Sequence, residues 1–293
     1  MKTFATIPRP EKKTLRPCPI CGSTKASILW DLGDFSFSRC SGCGLVQQNP
    51  QPDAEYVLAR YDESYRDYEV ERHDDYARLE GMALADLGFS EISDKLASRK
   101  GPDERPPTFL DVGCATGALI AGLSSKGWSC VGIEPCEPAA RYGREAFGVD
   151  IRATVLEKAA LPSASFDIVH ASHLIEHLNE PAKFLDEARR LLAPGGFLVI
   201  TTPNIDGLQA RILGPRWRSA IYDHLFLFSM RNLSRLVERA GFGIVRSITW
   251  GGWASGLKPK SIKKPLDKMV KILGWGDVMA LLCQPFGSTA EDR

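Results

Sequence analysis

Three of the five histidines in this 293-residue chain, His170, His173 and His177, fall within the single stretch HASHLIEHLNEP. Inside it lies H-x-x-E-H, which is written like the zinc-binding signature of one class of metalloproteases. That chemistry needs both histidines on a helix, a third ligand downstream and a general-base glutamate beside the zinc. Here the motif follows FDIV, a buried strand at the lip of a sheet, which argues against a protease. The spacing still matters. His173, Glu176 and His177 stand at i, i+3 and i+4, so one helical face would present all three. Two imidazoles and a carboxylate could hold a divalent metal that lowers the pKa of a substrate hydroxyl. Without a metal, His173 or His177 could act as the base that takes an acceptor's proton, since imidazole titrates near neutrality. The plainest alternative is a helix start whose histidines satisfy backbone groups.

A second constellation is Cys18, Cys21, Cys40 and Cys43, two C-x2-C pairs separated by eighteen residues and each followed by Gly. Four thiolates at this spacing suit a tetrahedral, structural zinc site with no position open to water. Two disulfides are the alternative, but a reducing compartment would open them, and ~50 residues make a poor core without a staple. Cys114, Cys130, Cys136 and Cys283 are scattered and look like small packing residues. Residues 1–50 lack basic runs and interleaved aromatics, so no nucleic-acid partner is expected.

Composition frames these sites. Apolar residues make up 44% and charged residues 25%, as in ordinary soluble proteins. The net charge of +1 hides an asymmetry: residues 51–100 hold 13 Asp/Glu against 7 Lys/Arg, whereas residues 211–272 hold 13 Lys/Arg against 3 Asp/Glu. No apolar run reaches the ~18 residues of a membrane span, and the first residues lack the apolar core of a signal peptide. A cytoplasmic location is the expectation.

The elements that must position the histidines lie around them. TFLDVG reads as a strand ending in a glycine turn, CATGALIAGLSSKG as a helix, and SCVGIEP as a strand ending at Glu134. FDIVHAS, PAKFLDEARRLLAPGG (a helix with a glycine stop) and FLVITTPN continue the alternation, which predicts a doubly wound, mostly parallel α/β sheet. In such sheets ligands bind at the carboxyl ends of the strands. Gly113 and Gly117 allow close backbone approach, and Glu134 stands where a carboxylate accepts from both hydroxyls of a ribose. A dinucleotide would want G-x-G-x-x-G, and the register Gly113, Ala115, Ala118 fits it loosely. Between residues 51 and 104 helical spacing at Tyr76, Leu79, Met82 and Leu87 predicts one or two linking helices, with tyrosines that pack or form part of a lid.

FLDVGCATG, GIEP, LPSASFDIVHASHLIEHLNEP, LLAPGGFLVITTPN and HLFLFS…LVERAGF together resemble class I S-adenosylmethionine-dependent methyltransferases, in order over residues 105–250. The N-terminal ribbon resembles a subgroup carrying a zinc module and encoded with sugar or cell-surface polysaccharide pathways. The resemblance implies a seven-stranded sheet closed by an antiparallel hairpin from GFGIVRSITW and GDVMALLCQ, with residues 256–273 inserted. It implies three parts: a zinc ribbon at 1–50, a helical linker or lid at 51–104 and a cofactor-binding domain at 105–293. By position, Asp111, Gly113, Cys114 and Gly117 form the cofactor loop, Glu134 with Pro135 beside it meets the ribose, Glu157 lies near the adenine, and His170 faces the methyl region. The implied reaction is methyl transfer to a hydroxyl, or a carbon, of a small sugar-like or phosphorylated acceptor. Arg211, Arg216 and Arg218, with His224 after them, would bind an anionic group on it. The rivals are a non-catalytic zinc-ribbon adaptor and a nicotinamide-dependent oxidoreductase.

Overall fold

The structure, a computed structural model, describes residues 13–98, 105–251 and 269–287. Its N-terminal part is built by short strands with glycine turns: β1 (Lys13–Thr14), β2 (Ala26–Asp31), β3 (Ser36–Cys40), β4 (Val46–Gln48) and β5 (Gln51–Pro52). β2, β3 and β4 form an antiparallel meander, and β1 pairs with β5. Gly22 and Gly44, one after each C-x2-C pair, have φ of +71° and +81°, a left-handed bend that glycine adopts without strain.

The connecting region forms four helices rather than one or two: α1 (Ala54–Leu58), α2 (Glu63–Val70), α3 (His73–Asp86) and α4 (Phe89–Ala97). The apolar spacing seen in sequence falls on α3, but Leu79 and Met82 are exposed and the buried residues are Ala83, Leu84 and, at the cap, Leu87. The extra breaks come from local chemistry: Asp53 and Asp62 cap the first two helices through their carboxylates, and Gly88 opens the fourth with φ +82°.

The large sheet follows the expected alternation. In chain order come β6 (Thr108–Val112), α5 (Ala118–Ser124), β7 (Ser129–Ile133), α6 (Glu137–Phe147), β8 (Asp150–Arg152), β9 (Phe166–Ser172), α7 (Pro181–Leu191) and β10 (Leu192–Pro203). Then follow α8 (Leu208–Leu213), β11 (Phe226–Leu227), α9 (Met230–Arg239), β12 (Phe242–Trp250) and β13 (Val278–Pro285). Seven strands stand in the order β12-β13-β10-β9-β6-β7-β8. β6 to β10 are parallel, and β13 is antiparallel to both its neighbours, as the expected hairpin requires. Most of the insert between its strands, residues 252–268, lies outside the described residues. One boundary differs from expectation. α7 stops at Leu191 and β10 begins at once, so Pro194, Gly195 and Gly196 sit within a shifted strand start rather than ending a helix. A Cβ at Gly196 would lie 2.9 Å from the carbonyl of Asp167, so glycine lets the two chains approach there.

The ribbon is joined to this sheet rather than tethered beside it. β11, from the large domain, pairs with β4 and completes a four-stranded sheet β11-β4-β3-β2. Cys18, Ile20, Cys40 and Leu45 share one buried cluster with Leu225, Phe226, Phe228 and Leu233.

Candidate active site at the carboxyl edge

β6 and β7 deliver their ends side by side. Gly113, Ala115 and Gly117 have φ of +77°, +48° and +73°, so the turn after β6 coils tightly before α5 begins. The N–H groups of Gly113 and Cys114 donate to the carbonyl of Ile133, and that of Gly117 to the carbonyl of Cys114. Glu134 closes the structure. Its Oε2 accepts from Ala115 N at 2.9 Å and its Oε1 from Cys136 N at 2.8 Å, and the residue is 1% exposed. Burial pushes its carboxyl up to about 7, against the pull of those two hydrogen bonds. A carboxylate offers about four acceptor positions, so two remain, which suits a pair of hydroxyls. The turn's N–H groups are largely spent internally, which leaves little for a pyrophosphate.

The glycines divide in role. A Cβ at Gly113 would meet the Leu174 side chain at 3.3 Å. One at Gly117 would meet Ile151 at 2.7 Å, so that glycine serves packing of α5 on β8. Cys114 is buried in the core cluster with Ile120 and Ile151. Pro135 is half-buried beside Glu134, whereas Glu157 is exposed on a single turn, Leu156–Lys158, after β8.

β9 sets the next layer. His170 Nδ1 lies 2.7 Å from Asp111 Oδ1, both buried, and the Asp111 charge raises the imidazole's pKa although burial opposes it. Above them lie carboxyls that the sequence reading did not single out. Glu69 on α2 and Glu80 on α3 are half-buried and pushed up to about 7, first by burial and then by neighbouring acids, Glu134 for Glu69 and Asp111 for Glu80. Burial and then the Glu134 charge also raise the hydroxyls of Tyr61 and Tyr65. The acids and tyrosines of the connecting helices therefore cover the carboxyl edge. Their signal in sequence, a run rich in Tyr and acids, was visible, but its address was not.

The histidine motif is not helical. β9 ends at Ser172, His173 takes φ +51°, and only the short turn Ile175–His177 follows. His173, Glu176 and His177 therefore do not share one face. His173 Nδ1 lies 3.3 Å from Glu176 Oε1, with its side chain 49% exposed. Glu176 is buried, accepts from Thr202 Oγ1 at 2.9 Å, and its carboxyl is lowered to about 2, its histidine neighbours outweighing burial. His177 turns the other way: its Nδ1 lies 2.9 Å from the carbonyl of Asp223, and its ring stands edge-on to His224 with centroids 4.8 Å apart. His224 is thus brought to the motif from a distant loop. Burial and His177 lower it to about 3.

Two of the three arginines have partners close at hand. Arg211 Nε donates to the carbonyl of Asp206 at 2.7 Å, and Arg218 Nε donates at 2.8 Å to Asp277, a buried carboxylate also bonded by Trp217 Nε1. Arg216 is exposed. The acidic stretch pairs instead with Lys271, through Asp86 at 2.6 Å, and with Arg246, through Glu91 at 3.7 Å.

The four ribbon cysteines come together as expected. Cys18 and Cys43 sulfurs lie 3.4 Å apart, Cys21 and Cys40 sulfurs 3.5 Å, and all four within 4.8 Å of one another. No disulfide joins them. A tetrahedral zinc shell places its sulfurs ~3.8 Å apart, so the cluster fits that ion. Gly42 N–H faces Cys40 Sγ at 3.4 Å. No helix among the described residues is long and apolar enough to cross a membrane.

Residues 85–247 match the family described as methyltransferase domain. The ubiquinone biosynthesis O-methyltransferase of Cereibacter sphaeroides is 33% identical over 116 residues, 37% of this chain and 47% of that protein. Its namesake from Dinoroseobacter shibae is 28% identical over 168 residues, covering 51% and 68%. The chain spans 40% to 68% of the length of three such curated relatives. An S-adenosylmethionine-dependent methyltransferase of Thermotoga maritima shares the fold at a TM-score of 0.50 and 20% identity, over 74% of this chain and 96% of that one.

Proposed function

The chain belongs to the methyltransferase-domain family, and from that premise we propose that it moves a methyl group from S-adenosylmethionine to a hydroxyl, or less readily a carbon, of a small acceptor. The observation that carries this reading is Glu134, buried between the glycine turn and the end of β7 with two acceptor positions left for a ribose. The cofactor is a cation, and the carboxyls of Glu69, Glu80, Asp111 and Glu134 around this edge suit a positive charge. When bound, it supplies an electrophilic methyl on a sulfonium that is already a good leaving group.

The chain's own work is then placement more than acid–base chemistry. Asp111, Gly113, Cys114, Gly117, Glu134 and Pro135 frame the cofactor, with Glu157 toward the adenine and His170 fixed by Asp111 beneath the reacting end. His173, exposed and oriented by the buried Glu176, is the base best placed to take the acceptor's proton. α2 and α3 act as the lid. The names of the relatives favour a hydroxyl acceptor. A sugar-like or phosphorylated acceptor is our reading of its class, with the exposed Arg216 as its anion contact. We assign the four ribbon cysteines to a structural zinc, and divide the chain into ribbon (1–50), lid (51–104) and catalytic domain (105–293). Turnover of labelled S-adenosylmethionine against nucleotide sugars and against phenolic acceptors tests the reading. Transfer to the sugars alone supports it, and transfer to phenols alone overturns the acceptor class.

A further inference from the structure

We propose that Glu176, His177 and His224 bind one divalent first-row transition cation, separate from the four-cysteine cluster. One ligand atom from each of the three lies within 4.8 Å of the others. Bonds of ~2.0–2.2 Å to nitrogen and oxygen put ligand pairs ~3.3–3.6 Å apart in a tetrahedral shell, so a bound cation would draw the three groups closer together. The spacing H-x-x-E-H gives no hint of His224, and His173 is not part of this set.

What marks the trio as built for a cation is how each group is held from behind. His177 Nδ1 lies 2.9 Å from the carbonyl of Asp223, and His224 Nδ1 lies 2.8 Å from the carbonyl of Ser219. A carbonyl oxygen only accepts, so both Nδ1 atoms carry the hydrogen and both Nε2 atoms carry the lone pair. Imidazole ligands of metals are oriented by such bonds. The carboxylate is treated likewise, since Glu176 Oε2 accepts from Thr202 Oγ1 at 2.9 Å. His173 Nδ1 braces Oε1 from the other side at 3.3 Å. The two chain segments are clamped to each other: Leu225 N–H donates to the carbonyl of Glu176 at 2.8 Å. Glu176 is 1% exposed and His224 7%, so the ligands sit in a wall rather than on a mobile surface.

Two imidazoles and one carboxylate suit zinc and the neighbouring transition ions, and three protein ligands leave a position open to an oxygen ligand. Cation binding stands by itself. That the open position receives the acceptor hydroxyl rests on the methyl-transfer reading.

Cobalt(II) tests the proposal. Full-length protein prepared with zinc is freed of loose metal and titrated with cobalt. One equivalent should bind with weak visible bands, no sulfur-to-cobalt charge transfer and no release of zinc. The cobalt protein should show two hyperfine-shifted, solvent-exchangeable imidazole N–H resonances, one from each Nδ1. His224→Ala and Glu176→Gln should lose that equivalent, and Thr202→Val should weaken it by ~10–100-fold. Wild-type protein that takes up no cobalt, or takes it up only with zinc release and sulfur bands, overturns the site. So does uptake that persists in both ligand variants. S-adenosylhomocysteine binding in the same samples separates the two readings: cofactor binding without cobalt uptake sinks the cation site alone, and cobalt uptake without cofactor binding sinks the methyltransferase reading alone.

Discussion

Gln48 of the ribbon donates its side-chain amide to the backbone carbonyl of His224 at 3.0 Å and to that of Tyr222 at 2.6 Å. The loop that supplies His224 is therefore held from two sides, by the N-terminal module and by the turn after β9, where Leu225 N–H donates to the Glu176 carbonyl. Gln51 and Asn232 add bonds across the same seam, to Leu225 and from α9 to Cys43. Cys40→Ser should lose the cluster's metal and loosen both the ribbon and residues 222–228. Gln48→Ala leaves one buried and one half-buried carbonyl without this donor and should cost roughly 1–3 kcal/mol of stability. Metal analysis and limited proteolysis check both. Protein that keeps its metal as Cys40→Ser, or a 222–228 loop as well protected in both variants as in the wild type, contradicts the coupling.

Glu134 gives the ligand-free protein a pH signature. Its carboxyl is pushed up to about 7 from 4.5, so between those values the folded chain holds a proton that the unfolded chain has released. Stability should fall as pH rises through that window, by on the order of 3 kcal/mol for this fully buried group. Glu134→Gln should remove its share of the dependence and leave the share that Glu69 and Glu80 contribute in the same window. Binding runs the other way: only the ionised carboxylate accepts from both hydroxyls, so S-adenosylhomocysteine affinity should weaken as pH drops below about 7. Urea melts and calorimetry across the window, in both proteins, measure the two slopes.

Much of this was legible because periodicity and punctuation are local. The run FDIVHAS has to be a buried strand, and DVGCATG with Glu134 follows from what a turn and a strand end allow. The four cysteines were legible because ligand spacing is itself geometry. The histidine motif misled for a physical reason. The i, i+3, i+4 rule presumes a helix, and His173 at φ +51° breaks it before one can start. His224, Thr202 and Gln48 had no local signal, since their roles come from β11 pairing with β4 and from β10 lying beside β9. The arginines illustrate the converse. Charge was visible, but the buried Asp277 that takes up Arg218 was not.

Those arginines should now separate. Arg216→Ala should raise the acceptor KM, with a loss that shrinks as salt rises, and leave cofactor affinity nearly unchanged. Arg218→Ala should also lower Tm, because it removes a partner from the buried carboxylate of Asp277. A wild-type KM in Arg216→Ala would end its role as an anion contact.

His173→Ala should lower kcat by ~10²–10⁴ if the imidazole is the acceptor's base, with S-adenosylhomocysteine affinity unchanged. Steady-state kinetics on an active acceptor decide this. An unchanged kcat would leave placement alone as the source of rate.

S-adenosylmethionine seated against Glu134 is what calorimetry with S-adenosylhomocysteine would detect. Wild-type protein should bind one equivalent and should not bind NAD. Glu134→Ala should weaken the interaction by roughly 1.5–3 kcal/mol, the scale of hydrogen bonds to a charged group. Gly113→Val should weaken it further, since a branched side chain at φ +77° is strained and would press on Leu174. Wild-type protein that binds NAD instead, or equal S-adenosylhomocysteine affinity in all three proteins, would contradict the account.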